Sequence, residues 1–151
     1  MRDRLADCAR DLGIRMKVER LEASTRTVAD AATAVGCDAA EIAKSIVFVA
    51  DGDPVVCVAS GQHRVDTAKV AAALGVAKLR RATPEFVRAH TGQAIGGVAP
   101  LGHPKPVRTL VDVDLAPYEV IWAAGGVPRA VFPISYDELV RVTAGTPTEV
   151  A

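Results

Sequence analysis

Two β-branched apolar runs, SIVFVA and PVVCVASG, flank Asp51-Gly52-Asp53-Pro54 near the middle of the chain. This run–turn–run pattern predicts a β-hairpin over 45–61. Both runs are apolar almost throughout, so the two strands are expected to be buried on both faces. Upstream, Leu5, Cys8, Ala9 and Leu12 recur at helical spacing and predict a helix over 2–12, closed by Gly13. Residues 15–21 read as a strand. TVADAATAVG reads as a helix with Val28, Ala31, Ala32 and Val35 on one face, capped by Ser24 or Thr25 and ended by Gly36. Asp38 followed by Glu41 resembles a capping box and predicts a short helix, DAAEIAKS.

Beyond the hairpin, Asp66 or Thr67 caps a helix TAKVAAALG that Gly75 terminates, and VAKLRRA reads as a short strand. Thr83-Pro84-Glu85 opens a helix PEFVRAH with proline at its first position. Three strands then follow, VRTLVDVD, YEVIWAAGG and RAVFPIS, with a last helix DELVRVTAG and a tail TPTEVA expected to fray. Strands and helices mix without strict alternation. The expected architecture is one α+β domain over 1–151, with a largely antiparallel mixed sheet flanked by helices.

With 151 residues, half of them hydrophobic, the chain can build one core, and at 4% aromatics that core is mostly aliphatic. No apolar run approaches the roughly 20 residues that cross a bilayer, and the charged N-terminus lacks a signal-peptide core. A soluble cytoplasmic protein without a membrane partner is therefore expected. Cys8, Cys37 and Cys57 are widely spaced and form no CxxC pair, so they read as reduced thiols.

Charge sharpens the picture. The net charge is zero, yet residues 61–111 carry eight lysines and arginines against two acids. Such a segment fits either an anionic partner such as RNA or a phosphorylated ligand, or scattered charges balanced elsewhere in the fold. Motifs for a P-loop, a dinucleotide site, HExxH zinc and a GxSxG nucleophile are all missing, so no metal or cofactor is expected.

Three features remain as candidates for chemistry. Lys44, in IAKSIVFV, lies among apolar neighbours where helix is expected to give way to strand. It either snorkels outward or points its charge into a cavity, where it could hold a phosphate, a carboxylate or a developing oxyanion. GQAIGGVAPLGHPKP (92–106) concentrates glycine and proline. Gly96-Gly97 before Val98-Ala99-Pro100 is either a connector or bare backbone that a ligand can approach. Gly125-Gly126 is either a hairpin turn or a second such wall, with Arg129 a phosphate contact or a surface charge.

In their order, TVADAATAVGCDAAEIAKSIVFVADGDPVVCVASGQHRVDTAKVAAALG, GGVAPLG, VDVDL and the AAGG strand end resemble the YbaK/prolyl-tRNA-synthetase-associated (INS-like) aminoacyl-tRNA deacylase family, over about residues 25–143. The resemblance implies a YbaK-like fold and hydrolysis of the ester linking a wrong amino acid to a tRNA. Lys44, Gly96 and Gly97 fall on the family's catalytic positions. Ser45, Val98, Ala99, Pro100, Gly125 and Gly126 fall where substrate is bound. Arg64, Lys69, Arg80, Arg81, Lys105 and Arg129 become candidate RNA contacts. The implied partners are the acceptor end of an aminoacyl-tRNA and prolyl-tRNA synthetase, with no DNA.

Departures narrow the branch. Ala99 stands where members often carry serine, Ser45 where alanine-selective members tend to carry asparagine, and Val127-Pro128-Arg129 where they place a histidine. These point away from the alanine-specific branch and toward either the Cys-tRNA(Pro) type, in which the resemblance implies that the substrate's own thiol helps expel the tRNA, or a branch of unknown preference. The alternative is a module that binds tRNA or a nucleotide without hydrolysis.

Overall fold

The structure is a computed structural model that describes residues 19–20, 28–93, 98–100, 103, 107–124 and 130–151. The expected helix over 2–12, most of the strand over 15–21, and the Ser24/Thr25 cap lie outside the described residues.

The hairpin organises the fold. β2 (Ile42–Ala50) pairs antiparallel with β3 (Asp53–Ser60) in unbroken register from Ala43↔Ser60 to Ala50↔Asp53. Asp51 and Gly52 both take positive φ, 51° and 88°, as a tight two-residue hairpin turn requires. The remaining elements are β1 (Glu19–Arg20), α1 (Val28–Val35), α2 (Thr67–Leu74), β4 (Leu79–Arg81), α3 (Pro84–Thr91), β5 (Arg108–Asp112), β6 (Ile121–Ala124), β7 (Ala130–Ile134), α4 (Tyr136–Thr143) and β8 (Thr146–Thr148). Local chemistry explains the helix ends. The Asp66 carboxylate accepts from the N–H groups of Ala68 and Lys69, Thr83 caps Phe86, and Ser135 caps Glu138.

The strands form one mixed sheet in the order β1-β7-β6-β2-β3-β5-β8, with β4 also on β2. Pairs β1–β7, β6–β7, β2–β3 and β2–β4 are antiparallel, and β2–β6, β3–β5 and β5–β8 are parallel. This is the mixed, helix-flanked sheet expected from the sequence. Because side chains alternate across a strand, β2 and β3 feed two cores. Val47, Val56 and Val58 pack with Phe132 and Leu139 on one face. Phe48, Val55 and Cys57 pack with Val70 and Leu74 on the other. Each such side chain contributes about 1.5–3 kcal/mol by leaving water.

Two expectations are corrected. The DAAEIAKS segment is not a helix: one 3-10 turn spans Ala39–Glu41, and the chain is already strand at Ile42. The Asp38 N–H donates to Glu41 Oε1 as anticipated, at 3.1 Å, but the ladder with β3 and burial on both faces outweigh helical propensity beyond it. The tail does not fray. Thr146–Thr148 adds to β5 in parallel, Val150 is fully buried, and its carbonyl accepts from Asp66 N–H at 2.7 Å.

One edge of β2 is shared. β6 pairs with it at Ile42 and Ala43, and β4 takes over at Phe48. Among the described residues, Lys44, Ser45 and Ile46 have no strand partner on that edge.

Candidate active site

Lys44 is therefore the third residue of a central strand, not a residue at a helix–strand junction. It is paired with Ala59 of β3, and extending the β3–β5 register by one residue sets Ala59 beside Asp112. Lys44 and Asp112 thus lie on one face of the sheet, on either side of a methyl group. The Lys44 ammonium is not in bulk solvent. It donates to the main-chain carbonyl of His63, in the turn that leaves β3.

The His63 ring meets Asp112. Nδ1 lies 2.8 Å from Asp112 Oδ2, and Nε2 lies 3.3 Å from Asp114 Oδ2. A doubly protonated ring donates on both sides, whereas a neutral one donates on one. Asp112 is 1% exposed. Its Oδ2 also accepts from Ser60 N–H at 3.0 Å, and its Oδ1 from Asp114 N–H at 2.9 Å. A buried carboxylate needs such a full set of donors. Ser60 is tied in turn, its hydroxyl donating to the Ala40 carbonyl at 2.9 Å. Gly61 follows because no larger residue fits: a Cβ there would collide with the Ala39 carbonyl and with Val28 Cγ1. His63, Asp112 and Asp114 hold ligand atoms within 4.8 Å of one another, the types that could bind a cation. Both ring nitrogens, however, already face those carboxylates.

Electrostatics follow from this packing. Burial and then the nearby Arg81 guanidinium push the Lys44 pKa down, while Cys57 and Asp112 oppose the shift. Burial, reinforced by Asp112, pushes the Cys57 thiol up to about 12. The Cys37 thiol is raised as well, chiefly by burial. Cys57 is thus a neutral core thiol at physiological pH and supplies no thiolate.

Ser45 points to the opposite face from Lys44, the face of Ala43 and Val47. Its hydroxyl is buried and has no hydrogen-bond partner among the described residues. Val98 and Ala99 belong to the core cluster on that same face. Pro100 is buried beside them in sequence. The backbone of Ala99 is held at both ends. Its N–H donates to Gln93 Oε1 at 2.7 Å, and its carbonyl lies 2.9 Å from His103 Nε2. Burial lowers the His103 pKa, against the effect of that hydrogen bond. Gly96, Gly97, Gly125, Gly126, Lys105 and Arg129 lie outside the described residues.

The remaining candidate cations are dispersed. Arg64, Arg80 and Arg81 are exposed and form no ion pair with another described residue. Arg81 pairs with Phe48 in the β2–β4 ladder, which puts it on the Lys44 face. Lys69 instead donates to the Ala151 carbonyl at 2.9 Å and sits 3.8 Å from Glu149, so its charge is partly answered within the protein.

Sequence reasoning singled out Lys44 and Ser45 but set the lysine at a helix–strand junction rather than inside β2, and it missed His63, Asp112 and Asp114 as a group. VDVDL stands out as a motif, yet nothing local links its Asp112 to a histidine 49 positions away.

Residues 22–142 match the family model described as an aminoacyl-tRNA editing domain. Among curated proteins, YwhH of Bacillus subtilis (strain 168) is 33% identical over 123 residues, 81% of this chain and 78% of that one. The proline–tRNA ligase of Nitratidesulfovibrio vulgaris (strain DP4) is 34% identical over 89 residues, 59% of this chain but 16% of the ligase. A solved structure described as a candidate trans-editing enzyme for prolyl-tRNA synthetase superposes with a TM-score of 0.92 at 42% identity, covering 97% of this chain and 94% of that one. The protein APE2540 superposes with a TM-score of 0.90 at 26% identity, covering 97% and 98%.

Proposed function

The chain belongs to the aminoacyl-tRNA editing domain family and is a hydrolase of the aminoacyl ester, and we propose that it acts in trans on tRNA(Pro) mischarged with cysteine. The observation that carries the reading is the position of Lys44 and Ser45, on opposite faces of β2, along a stretch of its edge that has no strand partner among the described residues. One supplies a cation and the other a buried hydroxyl without a partner.

An aminoacyl ester is already activated, so its hydrolysis asks mainly for positioning and charge stabilisation. Lys44 holds the terminal phosphate or the ester carbonyl, where negative charge gathers as the carbonyl becomes tetrahedral. Arg81 is near enough to act on Lys44 electrostatically, and it extends the positive potential toward the RNA backbone, with Arg80 next to it in sequence and Arg64 as a further exposed cation. Gly96-Gly97 and Gly125-Gly126 are assigned to the site on the family resemblance alone. Because Cys57 stays a neutral thiol, the attacking group is water or a group of the substrate itself. The substrate straddles that edge of β2, so that the Ser45 hydroxyl, on the face opposite Lys44, meets a polar atom of the aminoacyl group. Val98 and Ala99 give that face small apolar walls, which admit a side chain of cysteine size and exclude larger cognate ones. The acceptor end of tRNA is the direct partner, and prolyl-tRNA synthetase is the enzyme whose errors are corrected.

A deacylation screen with Cys-, Ala-, Ser- and Pro-charged tRNA(Pro) tests this. Cys-tRNA(Pro) should be cleared fastest and Pro-tRNA(Pro) spared. Preference for Ala-tRNA(Pro), or tight binding of all four without turnover, would contradict it.

A further inference from the structure

We propose that His63 is a positioning residue for Lys44: its ring is gripped by Asp112 and Asp114, and its carbonyl thereby fixes the direction of the Lys44 ammonium on β2. This rests on the reading of Lys44 as the group that meets the substrate.

A lysine on a strand has a long, mobile stem and normally turns its head to water. Lys44 instead donates to a main-chain acceptor 19 residues away. An acceptor can orient a cation only if it is itself held, and the His63 carbonyl is held from two sides. The His63 N–H donates to the Ser60 carbonyl at 2.9 Å, which shapes the turn. The ring then meets Asp112 at 2.8 Å and Asp114 at 3.3 Å. Asp112 is a fixed anchor, since Ser60 and Asp114 backbone N–H groups also bind it. Its charge attracts the Lys44 ammonium across Ala59, while Arg81 repels it from the other side. Ring, carbonyl and ammonium thus form one mechanical path from β5 to β2.

A staple that merely closed the turn would affect folding without changing the surroundings of the Lys44 amine. The deciding measurement is therefore the side-chain NMR signal of Lys44 in protein labelled with 15N-lysine, assigned by its loss in Lys44→Arg, alongside deacylation kinetics. In the unaltered protein this signal should be shifted and protected from exchange. In His63→Ala it should move to the position of free lysines, and kcat should fall about 100-fold with little change in KM. His63→Gln, which keeps a donor for Asp112, should recover part of both. Asp114 is 59% exposed, so Asp114→Asn weakens the grip without entering the core. It should shift the Lys44 signal in the same direction by a smaller amount, even if His63→Ala folds poorly. An unchanged Lys44 signal in the folded variants overturns the proposal while leaving the function of Lys44 intact. A displaced signal with unchanged turnover contradicts the functional reading of Lys44, and this proposal with it.

Discussion

The Lys44 ammonium donates to the carbonyl of His63, the residue whose ring is held by Asp112. The cation of the proposed site is therefore joined to a polar network spanning β2, the turn after β3, and β5. The site's chemistry depends on how this network and the opposite face of β2 share the work.

Ser45 gives a test of that division. Its hydroxyl is buried without a partner among the described residues, so removing it relieves a desolvation cost rather than breaking a bond. Ser45→Ala should leave thermal stability unchanged or raise it by up to about 1 kcal/mol. It should reduce discrimination among aminoacyl groups in competition assays. A clear loss of stability with unaltered selectivity would show that the hydroxyl serves the fold.

Arg81 should act on tRNA binding more than on chemistry. It is exposed, lies on the Lys44 face and forms no ion pair with another described residue. Arg81→Ala should raise KM for the tRNA substrate. It should also flatten the plot of log affinity against log salt by about 0.7 if it contacts one phosphate of a single strand. An unchanged salt slope would remove Arg81 from the interface.

The half-buried His103 ring should make the Ala99 loop sensitive to acid. Its folded-state pKa lies below the ordinary 6.5 because of burial. The unfolded chain therefore takes up this proton first as pH falls. The stability linked to His103 is complete above 6.5 and is lost as pH drops through the lower folded value. The ring protons of His103 should titrate below 6.5 by NMR, and the Ala99 amide should lose exchange protection over the same range. Titration at or above 6.5 would contradict this.

Much of the fold was legible because it is written locally. Asp51-Gly52 between β-branched runs announces the β2–β3 hairpin, and Asp66 and Thr83 sit at helix starts as side-chain acceptors. What was not legible depends on distant partners. Ile42–Ser45 follows a capping-box pattern but is strand, because β3 and β6 claim its backbone. TPTEVA looks like a free tail, yet it joins β5 in parallel, a pairing that leaves no local signature. The site divides in the same way. Lys44 stands out as a charge in an apolar run, and Ser45 as its neighbour. The His63–Asp112–Asp114 grip joins a turn to a strand end far along the chain, and no spacing rule connects them.

The central claim is that the Lys44 ammonium drives ester hydrolysis. It is tested most directly by single-turnover deacylation of Cys-tRNA(Pro) with Lys44→Ala beside the unaltered protein, thermal unfolding serving as the fold control. The expected result is a rate lower by about 10²–10³-fold in a variant that still unfolds cooperatively. A folded Lys44→Ala protein that clears Cys-tRNA(Pro) at the original rate would contradict it.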